Sequence, residues 1–455
     1  MADSEEGNYF IEDEDGDEST VDYVNRRRQK ETSAQDRLKA LIKRTIGKGK
    51  AVDSTVIVPR YYSELMIWAA YRHMEVEGWK VNRTAGYHEP SPDYMDINIS
   101  CSEKQNLIRN GTLVIERNEV SLAVTIDADF ENNGVLLVTA SASNKTAVEE
   151  FTAGVNKIIK EQNFYRGKKV LFHARVHFLE VSGKKWDDVI LDESTKRSIW
   201  ANTIGFLNNR DKLKEYGVPC KRGVLLVGEP GTGKTLACKA LLAKAEGITC
   251  VLASVDVMDN PRYLQELFEF ARDLSPSIVF IEDIDLIAQE REVFGYSRGS
   301  ALLTLLSVLD GVEEKDGIVT IASTNCKDTL DKAISKRPSR FDRIIYFLKP
   351  ALKQRTELIT LLCKTVPMDA RTREYLSGRT ENFTPAQIQE VVYGLAMAYC
   401  EKNEGSKPEC LIFSKQEVDN AIGNIDRDNK QQGIGFTLNG NHKGGDGADK
   451  VSISN

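Results

Sequence analysis

The sequence predicts an α/β protein whose principal domain is a parallel sheet with helices on both faces, preceded by a separate α/β domain. Three observations carry that expectation. The run Gly223-Val224-Leu225-Leu226-Val227 is apolar without alternation, as a strand buried on both faces must be. It leads straight into Gly228-Glu229-Pro230-Gly231-Thr232-Gly233-Lys234-Thr235 and then a helix-forming stretch from Leu236 to Ala245. A second apolar strand, Ser277-Ile278-Val279-Phe280-Ile281, ends in Glu282-Asp283-Ile284-Asp285. Upstream, from about Thr55 to Val181, short strands and two helical stretches follow a pattern of their own.

The segment Gly228 to Thr235 fits G-x-x-x-x-G-K-[ST] in the strand-to-helix setting that gives this pattern its meaning. Glycines at 228, 231 and 233 allow torsions and close approaches that a Cβ forbids, so successive backbone N–H groups can turn inward around phosphates. Lys234 then reaches the β- and γ-phosphates of a nucleotide and the Thr235 hydroxyl serves Mg²⁺. The helix opening near Lys234 points its positive end at the anion. A glycine-rich turn that merely matches the pattern would not fill every constrained position.

Glu282 lies 48 residues after Lys234, room for one strand (Thr249 to Ala253) and one helix (Tyr263 to Leu274) between them. Paired carboxylates at a strand end suit a metal shell and an attacking water beside phosphates. A further strand, Ile318 to Ala322, ends in Ser323-Thr324-Asn325, and the Asn325 amide is of a type that orients such a water. Arg340 and Arg343 follow beyond a proline. Taken alone, that arginine pair is equally well read as a surface salt-bridge pair.

Composition limits what surrounds these residues. A chain of 455 residues is too long for one core, so two or three domains are expected. A net charge of -7 argues against a polyanion binder as a whole, which makes nucleic acid a disfavoured partner. The eight cysteines form no C-x-x-C pair and several sit in apolar stretches, as reduced core thiols do. No apolar run approaches the roughly 18 residues that span a bilayer, and the first 22 residues hold ten acids and no Lys or Arg. A soluble, cytoplasmic protein without a membrane anchor is the expectation.

Residues 1–52 read as a charged, mostly disordered arm whose acidic and basic halves offset each other, Arg26 to Lys50 holding ten basic residues against Glu31 and Asp36. A short helix from Ala34 to Ile46 with Leu38, Leu41, Ile42 and Thr45 on one side is the structured alternative. In the next domain, strands are expected at Val56 to Val58, Asp96 to Ile99, Thr112 to Ile115, Val120 to Asp127 and Val135 to Ala140, with a long final strand from Lys169 to Val181. Helices are expected at Tyr61 to Glu77 and Thr146 to Gln162. His173 and His177, four apart on that last strand, would stand about 13 Å apart, and so read as sheet surface rather than ligands.

From about Trp186 to Cys400 the chain resembles the AAA family of ATPases. The resemblance rests on Gly217-Val218-Pro219-Cys220-Lys221-Arg222 leading into the phosphate loop, on Leu305-Leu306-Ser307-Val308-Leu309-Asp310-Gly311-Val312, and on Ala322-Ser323-Thr324-Asn325 through Arg340-Phe341-Asp342-Arg343. It implies a P-loop NTPase large subdomain, a small helical lid and a ring of identical subunits, usually six. ATP and Mg²⁺ would be the cofactors, with Asp188, Val189 and Leu236 joining the loop from Gly228 to Thr235 in holding the nucleotide. It further implies Thr235 and Glu282 at the metal, Asp283 on the water, Asn325 as sensor, and Arg340 and Arg343 as arginine fingers on the neighbour's ATP. The expected organisation is an arm at 1–52, a client-binding α/β domain at 53–183, the large subdomain at 184–350, the lid at 351–430 and a disordered tail at 431–455.

Departures from the family pattern are informative. The acids run Glu282-Asp283 where the family usually has Asp-Glu, the adenine-side segment is Trp186-Asp187-Asp188-Val189-Ile190-Leu191, and the lid motif is Phe383-Thr384-Pro385-Ala386-Gln387. The inverted acids and the Val-Ile-Leu run resemble the branch containing the mitochondrial Rieske-protein translocase, with a soluble bacterial relative as the expectation. Members that thread proteins carry aromatic-X-Gly after the second strand. This chain has Ser254-Val255-Asp256-Val257-Met258-Asp259-Asn260-Pro261-Arg262 there, and no H-E-x-x-H protease motif anywhere. The expected function is a ring-forming ATPase that remodels or chaperones protein clients without threading. The alternatives are a nucleic-acid loader or initiator that uses the basic arm, and a scaffold switched by ATP.

Overall fold

The computed structural model describes residues 36, 39–45, 47, 49–86, 91–128, 132–173, 175–181, 183, 185–254, 257, 260–284, 307, 309, 317–325, 341–402 and 409–434. They fall into two compact units, one drawn from Met1–Ser182, Thr203–Gly223 and Ala245–Ala322, the other from Gly183–Asn202, Val224–Lys244 and Ser323–Asn455. Residues 39–45 are helical, within the stretch where the arm helix is expected. No helix among the described residues is long and apolar enough to cross a membrane.

The first unit opens with an antiparallel sheet of β1 (Ala51–Val58), β2 (Lys80–Ala85), β3 (Asp93–Asn98), β4 (Lys104–Arg117), β5 (Val120–Asp127) and β6 (Gly134–Ser141), in the order β1-β6-β5-β4-β2 with β3 also on β4. Helices α1 (Ser63–Glu77) and α2 (Lys145–Glu161) pack on each other and on the sheet. Helix α1 stops where Gly78 takes a left-handed φ of 73° and its N–H reaches the Glu75 carbonyl. The β4–β5 turn is shorter than the expected Glu116 to Glu119. Asn118 and Glu119, at φ 49° and 65°, form it alone, and positive φ at both positions matches the twist of the flanking strands.

The expected long strand from Lys169 to Val181 is broken. The His173 N–H donates to the Arg175 carbonyl, so β7 (Lys169–Phe172) and β8 (Val176–Phe178) form a hairpin, and β7 runs parallel to β10 (Thr249–Ala253) in the second sheet. An apolar alternation states that a strand exists and not which sheet takes it up. The turn also removes the expected 13 Å separation of His173 and His177 along one strand, since His177 lies on β8, opposite Leu171.

In the first unit β11 (Ser277–Ile281) lies between β10 and β12 (Ile318–Thr324), all parallel, with α7 (Pro261–Asp273) alongside. Strands β11 and β12 are buried at every residue, which is why their sequences are continuous apolar runs. In the second unit β13 (Arg343–Phe347) runs parallel to β9 (Lys221–Gly228). That unit also holds α3 (Glu193–Ala201), α6 (Lys234–Lys244) and the helices α8 (Leu352–Leu362), α9 (Ala370–Arg379), α10 (Pro385–Lys402) and α11 (Lys415–Ile434). Leu358, Ile359, Leu376, Ile388, Val392 and Val418 close one core among α8 to α11, the expected helical lid.

The antiparallel sheet domain is fastened to α7. Arg60 donates to Glu266 at 2.7 Å with both side chains nearly buried, its guanidinium lies 3.6 Å from the centre of the Tyr263 ring, and Arg262 takes the other carboxylate oxygen of Glu266. Tyr61, Tyr62, Tyr165 and Phe172 gather around Phe270 with ring centres 5.4–5.6 Å away. Glu64, in the same region, is buried, and burial lifts its carboxyl from 4.5 to about 7 against the opposing pull of Arg175. A carboxyl raised in the folded state costs nothing where both states are protonated, and stability falls as pH rises from about 4.5 to 7. Glu64→Gln should flatten that fall, which amounts to about 3 kcal/mol at most. Thermal unfolding at pH 5 and pH 8 checks it, and parallel losses in variant and wild type would refute the assignment.

Candidate functional site

Strand β9 delivers the chain into the glycine-rich loop and α6 takes it out. Gly231 and Gly233 sit at φ +78° and +97°, where a side chain is strained. A Cβ on Gly228 would meet the Phe347 carbonyl oxygen at 2.5 Å, so β13 can lie close beside the loop only because residue 228 is glycine. Within the loop the Thr232 hydroxyl donates to the Glu229 carbonyl at 2.8 Å, and Glu229 pairs with Lys349 at 2.9 Å.

Lys234 is 6% exposed. Its Nζ donates to the carbonyls of Gly228 and Glu229 at 2.7 and 3.1 Å and to Asn325 Oδ1 at 2.8 Å. These oxygens spread the ammonium across the loop and bring the sensor candidate to it. Thr235 follows in the first turn of α6, half-buried. A cluster of a buried cation, inward-turning peptide groups and a helix start is a phosphate cradle.

A cavity of about 330 Å³ adjoins the loop. Asp188, Val189, Thr232, Gly233 and Leu236 line it, so the structure brings together the residues expected on the adenine side and in the loop. Leu358 and Leu362 of α8 and Pro385, Gln389 and Tyr393 of α10 complete the walls, and the sequence did not point to these. Apolar walls from Val189, Ile190, Leu236, Leu358 and Leu362 beside polar groups of Asp188, Lys185, Thr365 and Gln389 suit a planar base with ring nitrogens.

The unusual lid motif acts at this point. Thr384 caps α10 reciprocally with Gln387: Gln387 N–H donates to the Thr384 hydroxyl at 3.3 Å and Thr384 N–H to the Gln387 amide oxygen at 2.8 Å. Ala386, held in that first turn, donates its N–H to the Gly231 carbonyl at 3.1 Å. A Cβ on Gly231 would meet the Ala386 Cβ at 2.8 Å. The lid therefore rests directly on the phosphate loop.

Glu282 and Asp283 leave the end of β11 in the first unit; Glu282 Oε1 is buried with no hydrogen-bond partner, and Asp283 holds a left-handed φ of 44°. A buried carboxylate oxygen without a donor fits a role toward a hydrated cation, so the donor set suits Mg²⁺. Arg343 is exposed at the first residue of β13, its Nε 3.4 Å from the Ser198 hydroxyl, and no carboxylate pairs with it among the described residues. Arg340 and Met258 lie outside the described residues.

Strand, glycine-rich loop, helix with a buried lysine and a lid on the loop together define a P-loop nucleoside-triphosphatase domain. Residues 224–349 match the model of the ATPase family associated with various cellular activities (AAA). The chain is similar to the mitochondrial ATP-dependent zinc metalloprotease FTSH 3 of Oryza sativa subsp. japonica, 36% identical over 240 residues covering 50% of this chain and 30% of the relative. It is also similar to the proteasome-activating nucleotidases of Saccharolobus solfataricus, 38% identical over 195 residues (41% and 49%), and Aeropyrum pernix, 31% over 283 residues (60% and 65%). The chain spans less than two thirds of each relative's length. The matched segment is an AAA ATPase domain, homologous to the AAA modules of FtsH and proteasome-activating nucleotidases.

Proposed function

We propose that this chain is a subunit of a homo-oligomeric ring, six-membered as the AAA resemblance implies, that hydrolyses ATP and uses the energy to remodel protein clients taken up by its N-terminal domain. The observation that carries the reading is Lys234 buried in the glycine-rich loop and bonded to Asn325, with the lid's Ala386 on Gly231. The relatives are by name a protease and a proteasome activator, and both names point to protein substrates. Reduced thiols at Cys220 and Cys250 support a reducing, cytoplasmic setting.

The roles are those that the AAA resemblance implies for these residues. Lys234 and the loop N–H groups hold the phosphates, and the cavity beside Val189 and Leu236 takes the adenine. Thr235 and Glu282 would hold Mg²⁺, which when bound neutralises charge on the phosphate oxygens. Asp283 polarises the attacking water and Asn325 orients it. Arg340 and Arg343 serve the ATP of the adjacent subunit. The residue ranges 53–183, 184–350 and 351–430 remain the working partition into client domain, large subdomain and lid. The finer likeness to the Rieske-translocase branch rests on the Glu282-Asp283 order and on Val189-Ile190-Leu191.

Clients are handled without threading. The loop before α7 lacks aromatic-X-Gly, Pro261 and Asn260 fix the start of the helix through an Asn260 cap on Arg262 N–H at 3.0 Å, and Val257 is buried. Pulling an extended chain needs a side chain that stacks on any sequence, carried on a loop free to travel. The test is a stably folded fluorescent protein with an unstructured tail, offered while hydrolysis is confirmed. Fluorescence should persist; its ATP-dependent loss, abolished by Met258→Ala, would show that threading occurs and that Met258 replaces the aromatic.

A further inference from the structure

Strand β4 outruns its neighbour. Asn110 to Arg117 pair with β5, but Lys104 to Ile108 pair only with β3. The Glu103 carbonyl accepts from Ile99 N–H at 2.9 Å, so the peptide groups of residues 103, 105 and 107 face β3. By the period of two, those of Lys104, Asn106 and Ile108 face the opposite side. The Ile108 N–H does so, donating to the Tyr71 hydroxyl at 3.4 Å. Among the described residues no strand takes up the peptide groups of Lys104 and Asn106 on that side.

A cavity of about 560 Å³ lies along this stretch, lined by Trp68 and Tyr71 of α1, by Gln105 and Leu107 of β4, and by Ile99 and Gln162. Trp68 is set edge-on against Phe164 with ring centres 5.5 Å apart, so the aromatic wall is fixed in place. The side-chain amides of Gln105 and Gln162 have no hydrogen-bond partner among the described residues. At the rim Arg72 is engaged by Glu75 at 2.6 Å, which leaves Glu103 as the uncompensated charge.

We propose that this is a peptide-binding site. An extended client segment adds to β4 as a strand along Lys104 to Asn106, up to where the Tyr71 hydroxyl takes the Ile108 N–H, places an apolar side chain against Trp68 and Tyr71, and sets a basic residue beside Glu103. Backbone pairing supplies affinity that tolerates many sequences, while the cavity and the acidic rim select apolar-plus-basic segments. The site rests on the reading of the N-terminal domain as the client-binding part, and names the form in which a client is held.

The experiment uses the full chain with ADP and a labelled eight-residue peptide alternating lysine with valine and phenylalanine, read by fluorescence anisotropy. Asn106→Pro removes the N–H that faces the open edge, where proline is sterically tolerated, and should weaken binding by about tenfold or more. Asn106→Ala, which loses only the exposed bond to Asp96, should bind as wild type. Glu103→Lys should reverse the preference in favour of a peptide with glutamates in place of the lysines. Circular dichroism and ATP turnover should be unchanged in all three. Equal binding by Asn106→Pro and wild type, or no charge reversal in a folded Glu103→Lys, overturns the site. Displacement of the peptide by salt-sensitive DNA at the same residues would overturn it as well. If the peptide binds as described but its occupancy never alters client handling, the site stands and the client reading fails. If clients crosslink to the N-terminal domain away from this cavity, the client reading stands and the site falls.

Discussion

Arg343→Ala should lower ATP turnover by about 10³-fold, on the order of 4 kcal/mol of barrier, with ATP affinity nearly kept. In phosphoryl transfer negative charge spreads over the oxygens of the moving group, and a guanidinium placed there acts in the transition state far more than in the ground state. Arg343 is exposed at the start of β13 and is spent on no carboxylate among the described residues, only on a long contact to Ser198. A guanidinium so placed is available to a neighbouring subunit. Arg340→Ala should behave alike. An inactive arginine variant mixed with an inactive Lys234→Ala variant should regain partial activity, because each supplies across an interface what the other lacks. No complementation at any ratio would sink the assignment in trans.

The acids should separate by role. Asp283→Asn should bind Mg·ATP and stall, with turnover down by about 10²- to 10⁴-fold, the usual worth of a general base. Glu282→Gln should stall and also demand more Mg²⁺, since its buried, unpartnered Oε1 is the oxygen best placed to accept from a metal's water shell. Titrating turnover and nucleotide binding against Mg²⁺ for both variants decides the matter. If only the Asp283 variant shifts the Mg²⁺ requirement, the two roles must be exchanged.

Where burial is continuous, the sequence was enough. Thr249–Ala253 stands as expected from its apolar run, and strand, glycine-rich loop and helix follow one another around Lys234 as the motif implies. Strand β2 was missed because Lys80–Ala85 is almost wholly exposed, so no apolar alternation marks it. The outer half of β4 was missed because its two buried apolar residues, Leu107 and Ile108, are adjacent among polar ones and give no alternation. The β7–β8 hairpin was misread because a three-residue turn at His173 to Arg175 carries no glycine or proline. In the site, Thr384 and Gln387 had the spacing of a capping box, a readable signal for the start of α10. That Ala386 would bond Gly231, or that Leu358 and Tyr393 would wall the cavity, depends on how helices distant in sequence pack, which no local pattern encodes.

The double variant Glu282→Gln, Asp283→Asn should keep nucleotide and lose turnover, which on the proposed function freezes the assembly with its client. Purified in the presence of ATP and crosslinked, it should retain protein joined to the N-terminal domain and release it when ADP replaces ATP. Retention of nothing in ATP, or of salt-sensitive nucleic acid that disappears on deleting residues 1–52, would contradict the account of a protein-remodelling ATPase.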